Sequence, residues 1–271
     1  MGVATTKFVW MDGELVRWKN AKVHIMTHAL HYGSSVFEGL HSYKTSHGAA
    51  IFRLNDHLER FFQSANALSM DIKFTKKELE NAVKNLVKIN KINNGYVRPL
   101  AYYGYGPVGI FPKSIPTNVA LVAMHWGNYY SKNLRIASSM RKRGFDEALM
   151  LDYEGYVAEG PAENIFIVKD GDLITPNSRS ALHGITRKSI LEISKDLGTM
   201  AYERKVTLNE VKNADEVFFC GTATEIAPVI EVNRKKIGDG KIGEVTLKIK
   251  NKYLDIVRGK DRKYIKWLAF V

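Results

Sequence analysis

Residues 150–176 read MLDYEGYVAEGPAENIFIVKDGDLITP and contain two places where apolar arms flank an acidic residue followed by glycine. The first falls at Glu154-Gly155 and the second at Asp170-Gly171. An acidic residue before glycine supplies the positive backbone angles of a tight hairpin turn, and apolar arms on both sides are typical of paired strands. This part of the chain is therefore predicted to form antiparallel ribbon.

The first half of the chain has a similar turn and a predicted helix. Residues 8–18, FVWMDGELVRW, place apolar arms around Asp12-Gly13, which predicts another hairpin. Residues 55–70 have the apolar spacing of an amphipathic helix. The residues on its apolar face are Leu58, Phe61, Phe62, Ala65 and Leu68.

Three further helices are predicted from their start signals and apolar spacing. Residues 76–91 follow Thr75, and Glu78 stands three positions after it, which is the pattern of a capping box. Another helix is predicted over residues 187–197, and a short one is predicted to start within residues 207–210.

Strands and helices in this order predict an α+β chain of two parts. Residues 106–118, GPVGIFPKSIPTN, hold three prolines and two glycines and mark an irregular connection. We therefore expect a smaller N-terminal domain over residues 1–122 and a larger C-terminal domain over residues 123–271.

Composition narrows the functional classes. No apolar run approaches the ~20 residues of a membrane-spanning helix, and the N-terminus lacks a secretory pattern, so we expect a cytoplasmic protein without a membrane partner. The formal charge of +12 is compatible with a basic nucleic-acid-binding protein. The lysines are scattered without interleaved aromatic residues, however, which favours a solvated surface and no nucleic-acid partner. The lone Cys220 is expected to pack as a small apolar side chain.

Two segments have the composition of an anion site. In residues 180–193, SALHGITRKSILEI, a glycine and a threonine before a helix offer backbone N–H donors and a hydroxyl, although Thr186 could equally be a plain helix cap. In residues 218–228, FFCGTATEIAP, a strand runs into a similar loop. Arg60 could add positive charge, or it could be a solvent-facing helical arginine.

A third segment, AEGPAEN at residues 158–164, carries two carboxylates. A carboxylate at a strand end can keep the ring nitrogen of a cofactor protonated, and Glu159 is the candidate for that role. Alternatively both carboxylates cap turns, which would explain Glu163 better than Glu159.

Six blocks that include these segments occur in one order along the chain. The blocks are HALHYGSSVFEG (28–39), IFRLNDHLERFFQSA (51–65), YVRPL (96–100), DEALMLDYEGYVAEGPAENIFIVKDG (146–171), ALHGITRKSI (181–190) and ADEVFFCGTATEIAPVIEV (214–232). Together they resemble branched-chain amino acid aminotransferases of the D-alanine-aminotransferase-like, fold type IV, pyridoxal-phosphate family. The resemblance covers nearly the whole chain.

The resemblance implies pyridoxal 5'-phosphate as cofactor and no metal. Arg60 would bind the cofactor phosphate, and Ile185, Thr186 and Thr222 would complete the phosphate cup. Glu159 would pair with the pyridine nitrogen, which makes the ring an electron sink.

The resemblance also implies a substrate site. Tyr96, Arg98, Phe37 and the backbone of Ala223 would shape the apolar side-chain pocket and the carboxylate site, and Tyr32 would be donated across a dimer interface. Without the resemblance, Phe37 and Tyr96 would be expected to be ordinary core aromatic residues.

The activity implied is transamination of the L-amino acids leucine, isoleucine and valine with 2-oxoglutarate, in branched-chain amino acid biosynthesis. D-amino-acid aminotransferase and aminodeoxychorismate lyase are the alternatives within the family. The family fold has two α/β domains, an N-terminal sandwich and a barrel-like cofactor-binding domain, with the cofactor between them. It assembles at least as a homodimer, because a partner loop that matches residues 104–112 closes the site.

One segment of the family pattern is missing. In relatives, the strand matching residues 134–142 is followed by a stretch with the Schiff-base lysine, and then by the block matching residues 143–151. Here Lys142 and Arg143 join those blocks directly, so on the order of 25 residues are absent, including the lysine that anchors the cofactor and moves the proton. Neither WGNYY (126–130) nor Lys142 is a good substitute, so no catalytic lysine is assigned.

Two alternatives follow for the activity. If the natural polypeptide carries the lysine segment, the protein is an ordinary lysine-dependent transaminase. If it does not, the protein is an inactive or cofactor-binding-only homologue.

Overall fold

The chain is described here from a computed structural model, which covers residues 5–110, 115–125 and 143–271. It forms two units, Met1–Gly127 with Val257–Val271, and Asn128–Ile256. The division expected from the sequence assigns residues 257–271 to the second domain, whereas the structure has them in the first unit. With segments of 127 and 15 residues, the first unit is longer than the second, which has 129. The N-terminal unit is therefore not the smaller one.

The described residues form α-helices and β-strands in alternating groups. The helices are α1 (His28–Tyr32), α2 (Leu54–Ala67), α3 (Lys76–Ile89), α4 (Ile185–Asp196), α5 (Leu208–Lys212) and α6 (Glu244–Val257). The strands are β1 (Phe8–Met11), β2 (Glu14–Arg17), β3 (Ser35–Phe37), β4 (Leu40–Thr45), β5 (Gly48–Phe52), β6 (Gly95–Tyr103), β7 (Thr117–His125), β8 (Asn164–Lys169), β9 (Asp172–Pro176), β10 (Ala201–Arg204), β11 (Glu216–Gly221), β12 (Glu225–Val229), β13 (Glu231–Val232), β14 (Lys235–Lys236) and β15 (Leu268–Phe270).

The first unit is built on an eight-stranded sheet in the order β15-β5-β4-β6-β7-β1-β2, with β3 also paired to β6. Asp12 and Gly13 form the predicted turn between β1 and β2, with positive φ angles of 47° and 102°. Helices α2 and α3 pack their apolar faces against the sheet in one core that includes Leu58, Phe61 and Leu86. The predicted capping box of Thr75 and Glu78 starts α3.

The second unit contains a five-stranded sheet in the order β10-β9-β8-β11-β12. Its strands pair antiparallel except for β10 with β9. Asp170 and Gly171 form the predicted hairpin turn, with φ angles of 52° and 84°. At the predicted turn containing Gly155, a single antiparallel bridge joins Leu151 to Val157. The barrel-like closure of this unit stays a prediction.

Helix positions in the second unit differ in detail from expectation. Helix α4 begins at Ile185, two residues before the predicted start, because Gly184 is its N-cap. Helix α5 has the capping box of Thr207 and Glu210. Helix α6 was not predicted from the sequence. Of the helices in the described ranges, none is long and apolar enough to cross a bilayer.

Candidate active site

The segment after β3 in the first unit places successive side chains in different environments. Phe37 is 62% exposed, whereas Glu38 is only 4% exposed. A Cβ atom on Gly39 would lie 1.7 Å from the Tyr96 hydroxyl oxygen, so glycine is required for the close approach of that side chain. The expectation that Phe37 could be an ordinary core residue is therefore wrong, whereas Tyr96 is buried.

Three of the residues assigned to the substrate site lie together in this unit. Tyr96 and Arg98 point to the same face of β6, because side chains two positions apart in a strand share a face. Arg98 Nη2 donates a hydrogen bond of 3.3 Å to the Tyr96 hydroxyl, and its guanidinium carbon lies 4.3 Å from the centre of the Phe37 ring. Burial raises the pKa of Tyr96 despite the nearby Arg98, so the phenol keeps its proton. These three side chains form a cluster with one positive charge.

Arg60 is paired with a carboxylate that the sequence analysis did not single out. Its Nε donates to Glu38 Oε1 at 2.5 Å, and its Nη2 donates to Glu38 Oε2 at 2.9 Å. The side chain of Arg60 is only 22% exposed. The alternative of a solvent-facing helical arginine is therefore wrong, and the partner of Arg60, Glu38, directly follows Phe37 of the substrate-side cluster in the chain.

Glu38 also contacts His57, which lies one helical turn before Arg60 on α2. His57 Nδ1 lies 2.8 Å from Glu38 Oε2. Burial alone would raise the pKa of Glu38, but the hydrogen bonds from His57 and Arg60 outweigh it and lower this pKa to about 2. Burial lowers the pKa of His57 more than Glu38 raises it. A neutral imidazole that donates from Nδ1 to an ionised carboxylate satisfies both groups.

Tyr32 lies at the end of α1 and is 42% exposed. Its ring centre is 4.4 Å from that of His28, a buried residue. His28 Nε2 lies 2.8 Å from the Gly109 carbonyl oxygen, and Nδ1 lies 2.7 Å from the Ser34 hydroxyl. His28 thus connects the helix of Tyr32 to the loop of residues 104–110, whose matching segment continues into residues outside the described ranges.

In the second unit, Glu159 is held beside the loop that precedes α4. It accepts hydrogen bonds from Leu182 N at 3.0 Å and from Asn164 Nδ2 at 3.1 Å. Asn164 Nδ2 also donates to the Leu182 carbonyl at 2.7 Å. Burial raises the pKa of Glu159, partly offset by the bond from Leu182. Asn164, which sequence reasoning missed, therefore fixes the position of the candidate ring-nitrogen partner.

The N-terminus of α4 differs in its capping from those of two other helices. Gly184 is the N-cap, and among the described residues no side chain caps this end. Thr186 is a buried residue of the first turn, so the alternative that it is a plain N-cap is wrong. Both Thr75 and Thr207, by contrast, cap their helices through their side chains. An uncapped first turn fits an anion such as phosphate.

The loop between β11 and β12 lies against the Glu159 segment. Thr222 and Ala223 are half-buried in this loop. A Cβ atom on Gly221 would lie 3.3 Å from the Ala162 carbonyl oxygen, and Cys220 pairs with Asn164 across β11 and β8. Glu159, Thr222 and Ala223 thus lie on loops next to Asn164 and Gly221, whereas Ile185 and Thr186 lie in the first turn of α4. Cys220 itself is fully buried, as expected for a small apolar side chain, and burial raises the pKa of its thiol.

Glu163 has a different environment from Glu159. It is 6% exposed, and its Oε2 has no hydrogen-bond partner within the described ranges. Burial, followed by the nearby Glu147, raises its pKa to about 7. The Ala162 backbone partly offsets this rise in the pKa of Glu163, in keeping with the turn-capping alternative. Because Glu163 is also buried beside the carboxyl group of Glu147, turn capping alone does not describe its surroundings.

Comparison with known proteins identifies the family of this chain. Residues 35–139 and 113–232 match the sequence profile of the family described as amino-transferase class IV. The branched-chain-amino-acid aminotransferase of Pseudomonas aeruginosa is 39% identical over 297 positions, with 97% of each chain covered. That of Escherichia coli K12 is 35% identical over 303 positions, with 97% of this chain and 98% of that protein covered.

Solved structures of similar proteins share the fold of this chain. The T.th. branched-chain amino acid aminotransferase complexed with N-(5'-phosphopyridoxyl)-L-glutamate is 37% identical and superposes with a TM-score of 0.92, covering 98% of this chain and 99% of that chain. The Escherichia coli enzyme is 34% identical with a TM-score of 0.93 and the same coverage.

The comparisons also bear on the missing segment. The alignment with the Pseudomonas protein has 297 positions, whereas 97% of this 271-residue chain is about 263 residues, so about 34 positions lack a residue of this chain. The family profile matches in two pieces that overlap at residues 113–139. Both findings fit an interruption before Arg143. Lys142 and WGNYY lie outside the described residues. Since the family profile matches more than half of the chain, and relatives with 39% and 35% identity cover 97% of it, this protein belongs to the class IV aminotransferase family.

Proposed function

We propose that this protein transfers the amino group between branched-chain L-amino acids and 2-oxoglutarate with pyridoxal 5'-phosphate as cofactor. The observation that carries this proposal is the similarity to branched-chain-amino-acid aminotransferases over 97% of this chain, at 39% identity for the Pseudomonas protein. Neighbouring structures with phosphopyridoxyl-glutamate and with 4-methylvaleric acid, an analogue of the leucine side chain with a carboxylate, support the same chemistry.

Cofactor-binding residues are proposed in each of the two units. Arg60 supplies positive charge to the phosphate, while Ile185, Thr186 and Thr222 supply backbone and hydroxyl donors at an uncapped helix start and its neighbouring loop. Glu159 would accept a hydrogen bond from the protonated ring nitrogen through its half-buried carboxylate. When bound, the cofactor supplies an electron sink for the bond changes at the substrate α-carbon.

The substrate site is proposed from the cluster of Phe37, Tyr96 and Arg98, with the backbone of Ala223. Arg98 offers a positive charge to the substrate carboxylate, and the exposed ring of Phe37 offers an apolar surface to a branched side chain. The Tyr96 hydroxyl, which keeps its proton, can donate a hydrogen bond. An apolar surface beside a cation that can bind the substrate carboxylate suits leucine, isoleucine and valine.

A substrate screen tests this assignment. Purified protein with pyridoxal 5'-phosphate is incubated with 2-oxoglutarate and one amino donor, and glutamate formation is measured by mass spectrometry. L-leucine, L-isoleucine and L-valine are expected to be donors, whereas D-alanine is expected to be inactive. Pyruvate formation from aminodeoxychorismate, or a preference for D-alanine, would assign the protein to another branch of the family.

A second candidate function is cofactor binding with little turnover. It is favoured by the direct junction of Lys142 and Arg143, where relatives carry the segment with the Schiff-base lysine. The described residues fit the phosphate and the ring of the cofactor, and the lysine is the part that the chain does not match. Loss of a proton-transfer group alone reduces a rate by roughly 10²- to 10⁴-fold.

Intact mass after incubation with pyridoxal 5'-phosphate and borohydride reduction separates the two candidates. Non-covalent binding is supported if the polypeptide mass is 30.6 kDa and the spectrum shows no cofactor adduct whose formation pyridoxamine 5'-phosphate prevents. One adduct per chain that this competitor removes supports a lysine-dependent enzyme, and peptide mapping locates the lysine. Adducts that persist with the competitor come from surface lysines and serve as the internal control.

Homodimeric assembly remains part of the proposal, with Tyr32 offered to a partner subunit. Tyr32 and Leu30 on α1 expose 42% and 58% of their surface, which suits a contact between copies. Light scattering after size exclusion is expected to give twice the mass of one chain. The cytoplasmic location also stays a prediction.

A further inference from the structure

We propose that Glu38, supported by His57, is the positioning residue that orients the Arg60 guanidinium for the cofactor phosphate. This inference rests on the proposed function, because it assumes that Arg60 binds that phosphate. It assigns a role to two side chains that touch neither substrate nor cofactor in the proposal.

The first argument is geometric. Both carboxylate oxygens of Glu38 accept hydrogen bonds from Arg60, one from Nε at 2.5 Å and one from Nη2 at 2.9 Å. A two-point contact fixes the plane and the direction of a guanidinium, which a single hydrogen bond does not. The Nη1 edge is not part of this contact, so its direction is set by Glu38. An arginine on a helix without such a contact would sample many rotamers.

The second argument is that Glu38 is itself held in place. Its Oε2 accepts from His57 Nδ1 at 2.8 Å and from the Gly39 backbone at 3.3 Å, and the side chain is 4% exposed. His57 is 1% exposed, so its ring has little room to turn. His57 therefore positions Glu38, and Glu38 in turn positions Arg60. All three side chains lie in the first unit.

The third argument concerns charge. A carboxylate beside a phosphate-binding arginine weakens anion binding by simple repulsion, so Glu38 would be unfavourable if charge were its only effect. A buried carboxylate at this position favours phosphate binding overall only if the gain from orienting Arg60 exceeds its repulsion of the phosphate. The two effects have opposite signs when Glu38 is neutralised, and an experiment can therefore distinguish them.

The test compares two ligands that differ only in the phosphate. Dissociation constants of pyridoxamine 5'-phosphate and pyridoxamine are measured by equilibrium dialysis at pH 7.5, since neither ligand needs a lysine. The ratio of the two constants within one variant reports the phosphate contribution, and the folded fraction of that variant cancels. The variants are Glu38→Gln, Arg60→Gln, the double variant, His57→Leu and His57→Asn.

Glu38→Gln is expected to reduce the preference for the phosphorylated ligand by about tenfold, as expected for loss of a charge-assisted hydrogen-bonded contact. In the Arg60→Gln background the same change is expected to have no further effect, because the residue acts through Arg60. His57→Leu is expected to reduce the preference as well, whereas His57→Asn, whose amide can donate from the Nδ1 position, is expected to retain most of it.

An unchanged or stronger phosphate preference in Glu38→Gln would overturn the inference and leave Glu38 as a repelling charge. If that variant does not fold, equal ratios in His57→Leu and His57→Asn would overturn it instead. A wild-type protein that shows no preference for the phosphorylated ligand would contradict the proposed function itself, which is a distinct result.

Discussion

Each unit of this protein buries a glutamate near its candidate site residues, and the pKa values of the two are shifted in opposite directions. Glu38 in the first unit is 4% exposed and has a pKa lowered to about 2. Glu163 in the second unit is 6% exposed and has a pKa raised to about 7. The two side chains are thus about equally buried. Near neutral pH, however, Glu38 is a charged carboxylate, whereas Glu163 is close to half protonation.

The neighbours account for the difference. Burial raises the pKa in both cases, because it disfavours the charged form. Glu38 has donors on His57 and Arg60 that reverse this effect, whereas Glu163 has the carboxyl groups of Glu147 and Glu159 nearby, which add to it. Burial of a carboxyl group therefore does not by itself tell whether the group is charged, and hydrogen-bond donors decide the outcome.

The largest effect is expected for Glu38→Gln. Since the folded pKa lies below the ordinary value of 4.5, the stabilisation is present above pH 4.5 and is lost as the pH falls towards 2. At pH 7 the free energy of unfolding should fall by about 3 kcal/mol. Denaturant titrations at several pH values check this.

The difference between Glu38→Gln and the wild type should narrow as the pH falls from 4.5 towards 2. The exposed Glu14, in the same unit, provides the matched control, and Glu14→Gln should change the free energy of unfolding little because its side chain is exposed. A loss of stability in Glu38→Gln that is independent of pH would argue for a packing defect and against the charge-based account.

The opposite sign is expected for Glu163→Gln. Its folded pKa lies above the ordinary value, so the wild type loses stability as the pH rises from 4.5 to about 7. The variant should therefore be more stable than the wild type at pH 8, by about 2 kcal/mol, and equal to it near pH 4.5. Thermal unfolding at the two pH values measures the difference, with the exposed Glu231→Gln as control. A destabilised variant at pH 8 would contradict the assignment.

The smallest effects are expected where the two units use the same local structure. Thr75→Ala and Thr207→Ala each remove the side-chain half of a capping box, and each should cost about 1 kcal/mol. The corresponding changes to serine should be nearly neutral, because a serine hydroxyl can cap in the same way. Denaturant titration of the four variants tests whether the caps are equivalent. A loss of stability in only one of the two alanine variants would show that the surroundings of that cap matter more than the local motif.

Features of this local kind were predictable from the sequence. The hairpin turns at Asp12-Gly13 and Asp170-Gly171 and both capping boxes depend on residues within four positions of one another, so their chemistry is visible in a short window. The α+β class followed from the order of such elements. The start of α4 was misplaced by two residues because glycine at position 184 is a weak cap signal.

Contacts between distant residues were not predictable in this way. The pairing of Glu38 with His57 joins residues 19 positions apart, and Asn164 contacts Leu182 across 18 positions. No pattern near either residue indicates its partner. The family resemblance supplied Arg60, Phe37, Tyr96 and Arg98 as candidate site residues, but the structure was needed to show that Glu38 pairs with Arg60.

The transfer of an amino group to a branched-chain oxo acid tests the central claim most directly. Protein loaded with pyridoxamine 5'-phosphate is mixed with 4-methyl-2-oxopentanoate, and leucine is quantified by chiral mass spectrometry against the same concentration of unbound pyridoxamine 5'-phosphate. The account predicts L-leucine alone, up to one equivalent per bound cofactor and formed at least about tenfold faster than in the protein-free control. Leucine formed no faster than in that control, or as a racemate, would contradict a branched-chain transaminase site in this protein.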